Sequence, residues 1–234
     1  MPINILQSVK RLVVERETIY NIVMSGEKIA KIIVQIKPWL KTGSLNIFGM
    51  PFAGKDSRGN ELAKLFDGIV IGGGDIIRNT PELEKLNEQV KDGSLAPTEE
   101  FLKVVLPYFL QDAFKNKPLI LSSVGRWHGE EPGVMAATKE SGHPLMAVIY
   151  IDISEEEMHR RWMVSQELQD RGFRHDDAVH VLEKRINEFK TKTLPVLDFY
   201  REHNLLIEIS GEASHEDVLL NILSQLAHRA AQAK

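Results

Sequence analysis

From Ser44 onward, short apolar runs alternate with amphipathic stretches, and this rhythm limits the chain to few architectures. Candidate strands fall at Leu45 to Phe48, Ile69 to Ile71, Leu119 to Leu121, Ala147 to Asp152 and Leu205 to Ile209. Strands separated by helices predict an α/β fold, with a central parallel five-stranded sheet and helices on both faces. Ligands then bind outside the carboxyl ends of the strands, so function is sought in the segments just past those ends.

Ahead of the first strand, Ile29, Ile32, Ile33 and Ile36 recur at helical spacing between Glu27 and Lys37, and Pro38 is expected to stop or kink that helix. A looser set from Leu6 to Val23 suggests another helix before Ser25-Gly26. Residues 1–43 therefore read as an N-terminal helical extension, packed on the main domain or on a second subunit. No repeat or Pro/Ser-rich linker follows, so residues 44–234 are read as one domain.

Composition narrows the function classes. With 234 residues, 43% of them hydrophobic, the chain can bury a sizeable core. Its 29 basic and 33 acidic residues leave a net charge of -4, so overall charge gives no hold on nucleic acid or an anionic membrane. Any anion site must be local. Cysteine is absent, which removes disulfides, thiolate metal sites and cysteine nucleophiles. The eight histidines show no ligand-type spacing. Neither a signal-peptide succession nor an apolar run of about 18 residues is seen, so the chain is expected to be cytoplasmic.

The strand at Leu45 to Phe48 runs directly into Gly49-Met50-Pro51-Phe52-Ala53-Gly54-Lys55-Asp56-Ser57, then into a helical pattern. In that order, backbone N–H groups of the loop and the helix N-terminus can cradle phosphate oxygens while Lys55 neutralises charge. Asp56 is unusual there, because a carboxylate repels a triphosphate unless a divalent cation or bridging water lies between them. Further cations stand beside later strand ends or glycine turns: Arg78 after Gly72-Gly73-Gly74-Asp75, Arg126 after Ser122-Ser123-Val124-Gly125, Arg171 and Arg174 beside Gly172, and Arg185 beyond them. Such a set suits phosphoryl transfer, where positioning and charge compensation do most of the catalysis.

Along nearly all of Ser44 to Leu226 the chain resembles the nucleoside monophosphate kinases, adenylate kinase above all. GMPFAGKDS is similar to that family's G-x-P-G-x-G-K-x-[ST], GGGDIIRN to its G-D-x-x-R and SSVGR to its D-G-F-P-R. FRHDD, EKRINEF and TLPVLDFY are similar to its R-x-D-D, K-R and T-x-P-x-x-x-Y-Y. The resemblance implies that Gly49, Gly54, Lys55, Asp56 and Ser57 face the ATP phosphates. Arg78 and Arg126 would hold an acceptor monophosphate, with Glu130 at its base. Lys55, Arg126, Arg174 and Arg185 would act on the transferring group.

The resemblance also implies a monophosphate-binding arm at 79–103 and a short lid at 162–177 carrying Arg171, Arg174, Asp176 and Asp177. Magnesium would accompany ATP, with Asp75 and Asp56 reaching it through water, and no zinc is expected. The implied partners are ATP and a nucleoside monophosphate, with no nucleic acid or membrane; the protein would be a monomer, or a dimer through its N-terminal helices. The implied reaction is reversible γ-phosphoryl transfer from ATP, most simply to AMP. A kinase for CMP, GMP or another small acceptor, or a catalytically weakened nucleotide-binding protein, is the alternative.

Several positions depart from the family pattern. Phe52 replaces a glycine, Ser122 the aspartate that opens D-G-F-P-R, and Ser165 an arginine one turn after Arg161. Gly73 replaces a common threonine, and Glu130 a base-reading glutamine. As an acceptor only, Glu130 would favour adenine, cytosine or guanine over uracil; it could equally be a solvated loop residue. Trp127 and His128 could line the acceptor pocket, although packing under the loop is the simpler role for the indole. Trp162 reads as a core residue.

Overall fold

The computed structural model describes residues 26–79, 98–168 and 179–233. Helix α1 covers residues 26–40 and lays Ile29, Ile32, Ile33 and Ile36 on the main core, with Ile36 wholly buried. Pro38 does not stop it. The proline removes only the N–H that would reach the Val34 carbonyl, and Val34 lies on the exposed side, where water can replace that bond. The helix instead closes with the Lys41 N–H donating to the Lys37 carbonyl at 3.0 Å.

The five expected strands are present as β1 (Ser44–Gly49), β2 (Ile69–Gly72), β3 (Leu119–Ser122), β4 (Leu145–Asp152) and β5 (Leu206–Ser210). All pair in parallel, in the order β2-β3-β1-β4-β5. The intervening helices are α2 (Lys55–Phe66), α3 (Gly73–Arg78), α4 (Thr98–Phe109), α5 (Glu131–Glu140), α6 (Glu155–Leu168), α7 (Val179–Glu188), α8 (Leu194–Glu202) and α9 (His215–Gln232). They cover both faces of the sheet. On β3 the period of two is explicit: Ile120 joins the core formed with α2 and α9, while Leu119 and Leu121 join a second core with Phe101, Val105 and Phe109 of α4 and Val134 of α5.

Strand order places a topological switch point between β1 and β3, because the chain leaves β1 toward one edge and leaves β3 toward the other. The register Ile47↔Ser122 ends β3 just short of the end of β1, so both exits lie on the same edge of the sheet. A crevice at that point is where a ligand site is expected, and both glycine-bearing segments with Lys55 and Arg126 emerge there. Most of the expected arm and the greater part of the expected lid lie outside the described residues.

Candidate active site

The loop after β1 is built to present N–H groups. Gly54 caps α2 with φ +88, a left-handed conformation that glycine adopts without a Cβ penalty, and no side chain caps the helix. Intrahelical bonding begins with the Arg58 N–H on the Gly54 carbonyl at 3.0 Å, so the N–H groups of the first turn have no helical acceptor. N–H groups so placed can cradle an anion. Phe52 also sits in the left-handed region, at φ +63, and Ser123 does so at φ +52. These are the two positions where the resembling motifs carry glycine; the backbone keeps the glycine-type conformation under a side chain.

A cavity of about 280 Å³ opens on this loop, lined by Gly54, Lys55, Asp56 and Ser57 and, from across the crevice, by Arg160, Arg161 and Arg185. Lys55 is largely buried and its Nζ lies 3.7 Å from the Asp56 carboxylate. The other Asp56 oxygen accepts a hydrogen bond from Ser122 Oγ at 2.8 Å. The charged side chains on the site's walls are therefore mainly cations, in a protein whose net charge is negative.

The segment after β3 is held by side chains from distant elements and by Glu130 just beyond it. Asn46, buried within β1, donates from Nδ2 to the Val124 carbonyl at 2.7 Å and accepts the Val124 N–H at 3.2 Å. The Ser123 N–H and hydroxyl both donate to the Ile47 carbonyl. Glu130, 2% exposed, accepts the Trp127 N–H at 3.1 Å, and Thr193 Oγ1 donates to the Arg126 carbonyl at 3.1 Å. Arg126 is thus fixed from both sides. Burial, and then the positive charge of Arg185, bring its guanidinium down to about 10, against partial compensation from Glu188, Asp56 and Glu130. Its Nε is buried with no hydrogen-bond partner among the described residues. An enclosed guanidinium with an unmet donor, facing another cation, is an environment that an anion would relieve.

Helix α7 carries Arg185 to the cavity and is followed by a widened π-type turn, Phe189–Thr193. Pro195 explains the turn, since it cannot donate the N–H that an α-helix would place on the Thr191 carbonyl. The turn aims Thr193 at Arg126 and sets Lys192 Nζ 4.0 Å over the Trp127 ring. This is the work of the threonine that opens the T-x-P pattern.

Other expected residues take different places. Glu130 is neither solvated nor open: its carboxylate closes the Arg126 turn. Asp75 accepts the Gly72 N–H at 2.9 Å at the start of α3. A Cβ on Gly73 would lie 2.8 Å from the Ser123 carbonyl oxygen, so the common threonine would not fit without a backbone shift. Trp162 packs against the core, and Ser165 is buried beside the cavity. Arg78 ends α3 by its backbone, but its side chain lies outside the described residues, as do Arg171, Arg174, Asp176 and Asp177.

Three residues were not marked by sequence. Arg161 donates to Glu157 at 2.7 Å, to the Gly211 carbonyl at 2.6 Å and to the Phe52 carbonyl at 3.4 Å, joining α6 and the turn after β5 to the phosphate loop. Glu157 holds both Arg160 and Arg161. Asn46 is the third, and a lone polar residue inside an apolar strand was the only signal for it.

The fold implies a divalent cation alongside a nucleoside triphosphate, and the donor set near the loop fits one: Asp56, Ser57 and Ser122 supply oxygens only, which suits a hard ion. Among the described residues no group of three or more His, Asp or Glu side chains could cage a metal.

Sheet order, strand–loop–helix junction and clustered cations together define the P-loop α/β fold typical of adenylate kinases. No family model matches the chain. It is similar to the adenylate kinase of Rickettsia conorii, 27% identical over 204 residues that cover 74% of this chain and 94% of the relative. It is similar to that of Petrotoga mobilis at 28% over 210 residues, covering 76% and 96%, and to that of Rickettsia akari at 28% over 204. The chain is a distant homologue of the adenylate kinases, phosphotransferases of the nucleoside monophosphate kinase family. No described helix is long and apolar enough to cross a membrane.

Proposed function

We propose that the protein reversibly transfers the γ-phosphoryl group of MgATP to a nucleoside monophosphate, with AMP as the acceptor suggested by its relatives. One observation carries this reading: Arg185 lines the same cavity as the Lys55 loop and also lies near enough to the buried Arg126 guanidinium for their charges to oppose each other. The loop N–H groups and Lys55 would hold the donor phosphates, and Arg126, with Arg78, the acceptor phosphate. An oxygen of that phosphate forms a bond to the γ phosphorus as the bond to the β,γ-bridging oxygen breaks, and ADP leaves. The attacking oxygen is already anionic, so no general base is needed. Arg185 balances the charge that spreads over the transferring group. Magnesium, when bound, would neutralise the β and γ oxygens. Arg171 and Arg174 belong to the same proposal as lid cations, with Asp176 and Asp177 beside them, and closure would exclude water.

The acceptor base is less constrained. Gly73 is pressed on Ser123, and Glu130 is occupied by Trp127, so both base-reading positions differ from the adenylate kinase pattern. That favours CMP or GMP as a second reading. The experiment is ATP-dependent phosphorylation of AMP, CMP, GMP and UMP, followed by coupled ADP detection with and without magnesium. Turnover with at least one monophosphate is expected. ATP binding without turnover of any of them would overturn the catalytic reading.

A further inference from the structure

We propose that the carboxylate recruiting the donor's divalent cation is Asp56, on the phosphate-loop helix, and that Ser122 at the end of β3 is a positioning hydroxyl that aims it. The inference rests on the phosphate-loop reading above and deepens it.

Ser122 stands where the resembling D-G-F-P-R motif begins with an acid, and the structure brings a carboxylate within 2.8 Å of that position from a different element. The link is not a local accident of the helix start. Asp56 lies in the first turn of α2, where a carboxylate answers the helix dipole, but a bond to β3 across the switch point is not part of capping. One Asp56 oxygen receives the Ser122 hydroxyl, and the other lies 3.7 Å from Lys55 Nζ. The carboxylate is therefore fixed in orientation on the wall of the cavity, while about half of its side chain is exposed. Without a cation it would repel the triphosphate that the surrounding N–H groups and Lys55 are arranged to attract. With one it becomes an attachment point through water for an ion that keeps most of its hydration. Asp75, the other candidate, is engaged with the Gly72 N–H at the start of α3.

The test is calorimetric titration of ATP into the full chain, in EDTA and in excess magnesium, for wild type, Asp56→Asn, and Asp56→Asn combined with Ser122→Asp. Asparagine still accepts the Ser122 hydrogen bond, so the first variant removes charge and little else. Its affinity for metal-free ATP should rise several-fold, while its affinity for MgATP falls roughly tenfold. The double variant should recover the preference for MgATP, and Mn²⁺ used as a paramagnetic probe should report the same order of ion retention. A purely structural role would shift both affinities in one direction. Such a common shift, or an unaltered ratio between the two conditions, overturns the inference while leaving the phosphate-loop reading intact. Failure of wild type to bind ATP in either buffer overturns both.

Discussion

The two segments proposed to hold phosphate are made in opposite ways. The Lys55 loop is local: strand, turn and helix follow one another between Ser44 and Phe66, and its binding groups are backbone N–H donors with one lysine. The Arg126 turn is assembled largely from afar: Asn46 holds the N–H and carbonyl of Val124, and Thr193 holds the carbonyl of the Arg126–Trp127 peptide, whose N–H goes to nearby Glu130. The first gains its shape from chain geometry. The second gains it from tertiary hydrogen bonds, and so ties the acceptor side to the stability of the core.

The largest effect that would sharpen this contrast is on chemistry. Lys55→Met is expected to lower kcat by roughly 10³-fold with an unchanged melting temperature, because the loop does not need its lysine to fold. Near-normal turnover would remove the donor half of the comparison. Asn46→Leu should do the reverse: the Val124 N–H and carbonyl lose their partners inside the core, at a cost of about 2–4 kcal/mol in urea denaturation. KM for the monophosphate should rise more than KM for ATP.

A smaller effect is expected at Glu130→Gln, which keeps an oxygen for the Trp127 N–H but loses its charge. KM should increase about threefold for every monophosphate, with the ranking of AMP, CMP and GMP unchanged. An altered ranking would return Glu130 to the base. The smallest is a pH effect at Glu157, whose carboxyl is held at about 2 by hydrogen bonds from Arg160 and Arg161. The folded value lies below the unfolded value, so its stabilisation is present above about pH 4.5 and is lost as pH falls toward 2. Acid unfolding of wild type and Glu157→Gln should therefore converge through that window, and parallel curves would count against the assignment.

Legibility in the sequence follows the same division. All five strands and the glycine loop could be read, because apolar period and turn chemistry are local signals. The continuation of α1 past Pro38 could not, since it depends on which face of the helix meets water. Glu130 was expected to read a base or to sit in solvent; it is buried instead and accepts the Trp127 N–H three residues back, a contact set by the local turn conformation that residue type alone does not announce. Phe52 looked like a departure from the loop, yet its φ of +63 preserves the turn. Asn46 and Arg161 bind main-chain carbonyls remote in sequence, and no spacing rule announces such a bond.

The pairing of Ile47 with Ser122 has one more implication. Because the two segments proposed to handle phosphate spring from adjacent strands, their separation is set by the hydrogen-bond ladder of the sheet, as if by the teeth of a ruler. The outer walls, where a nucleobase would be recognised, are free to drift in residue type without recalibrating that gap.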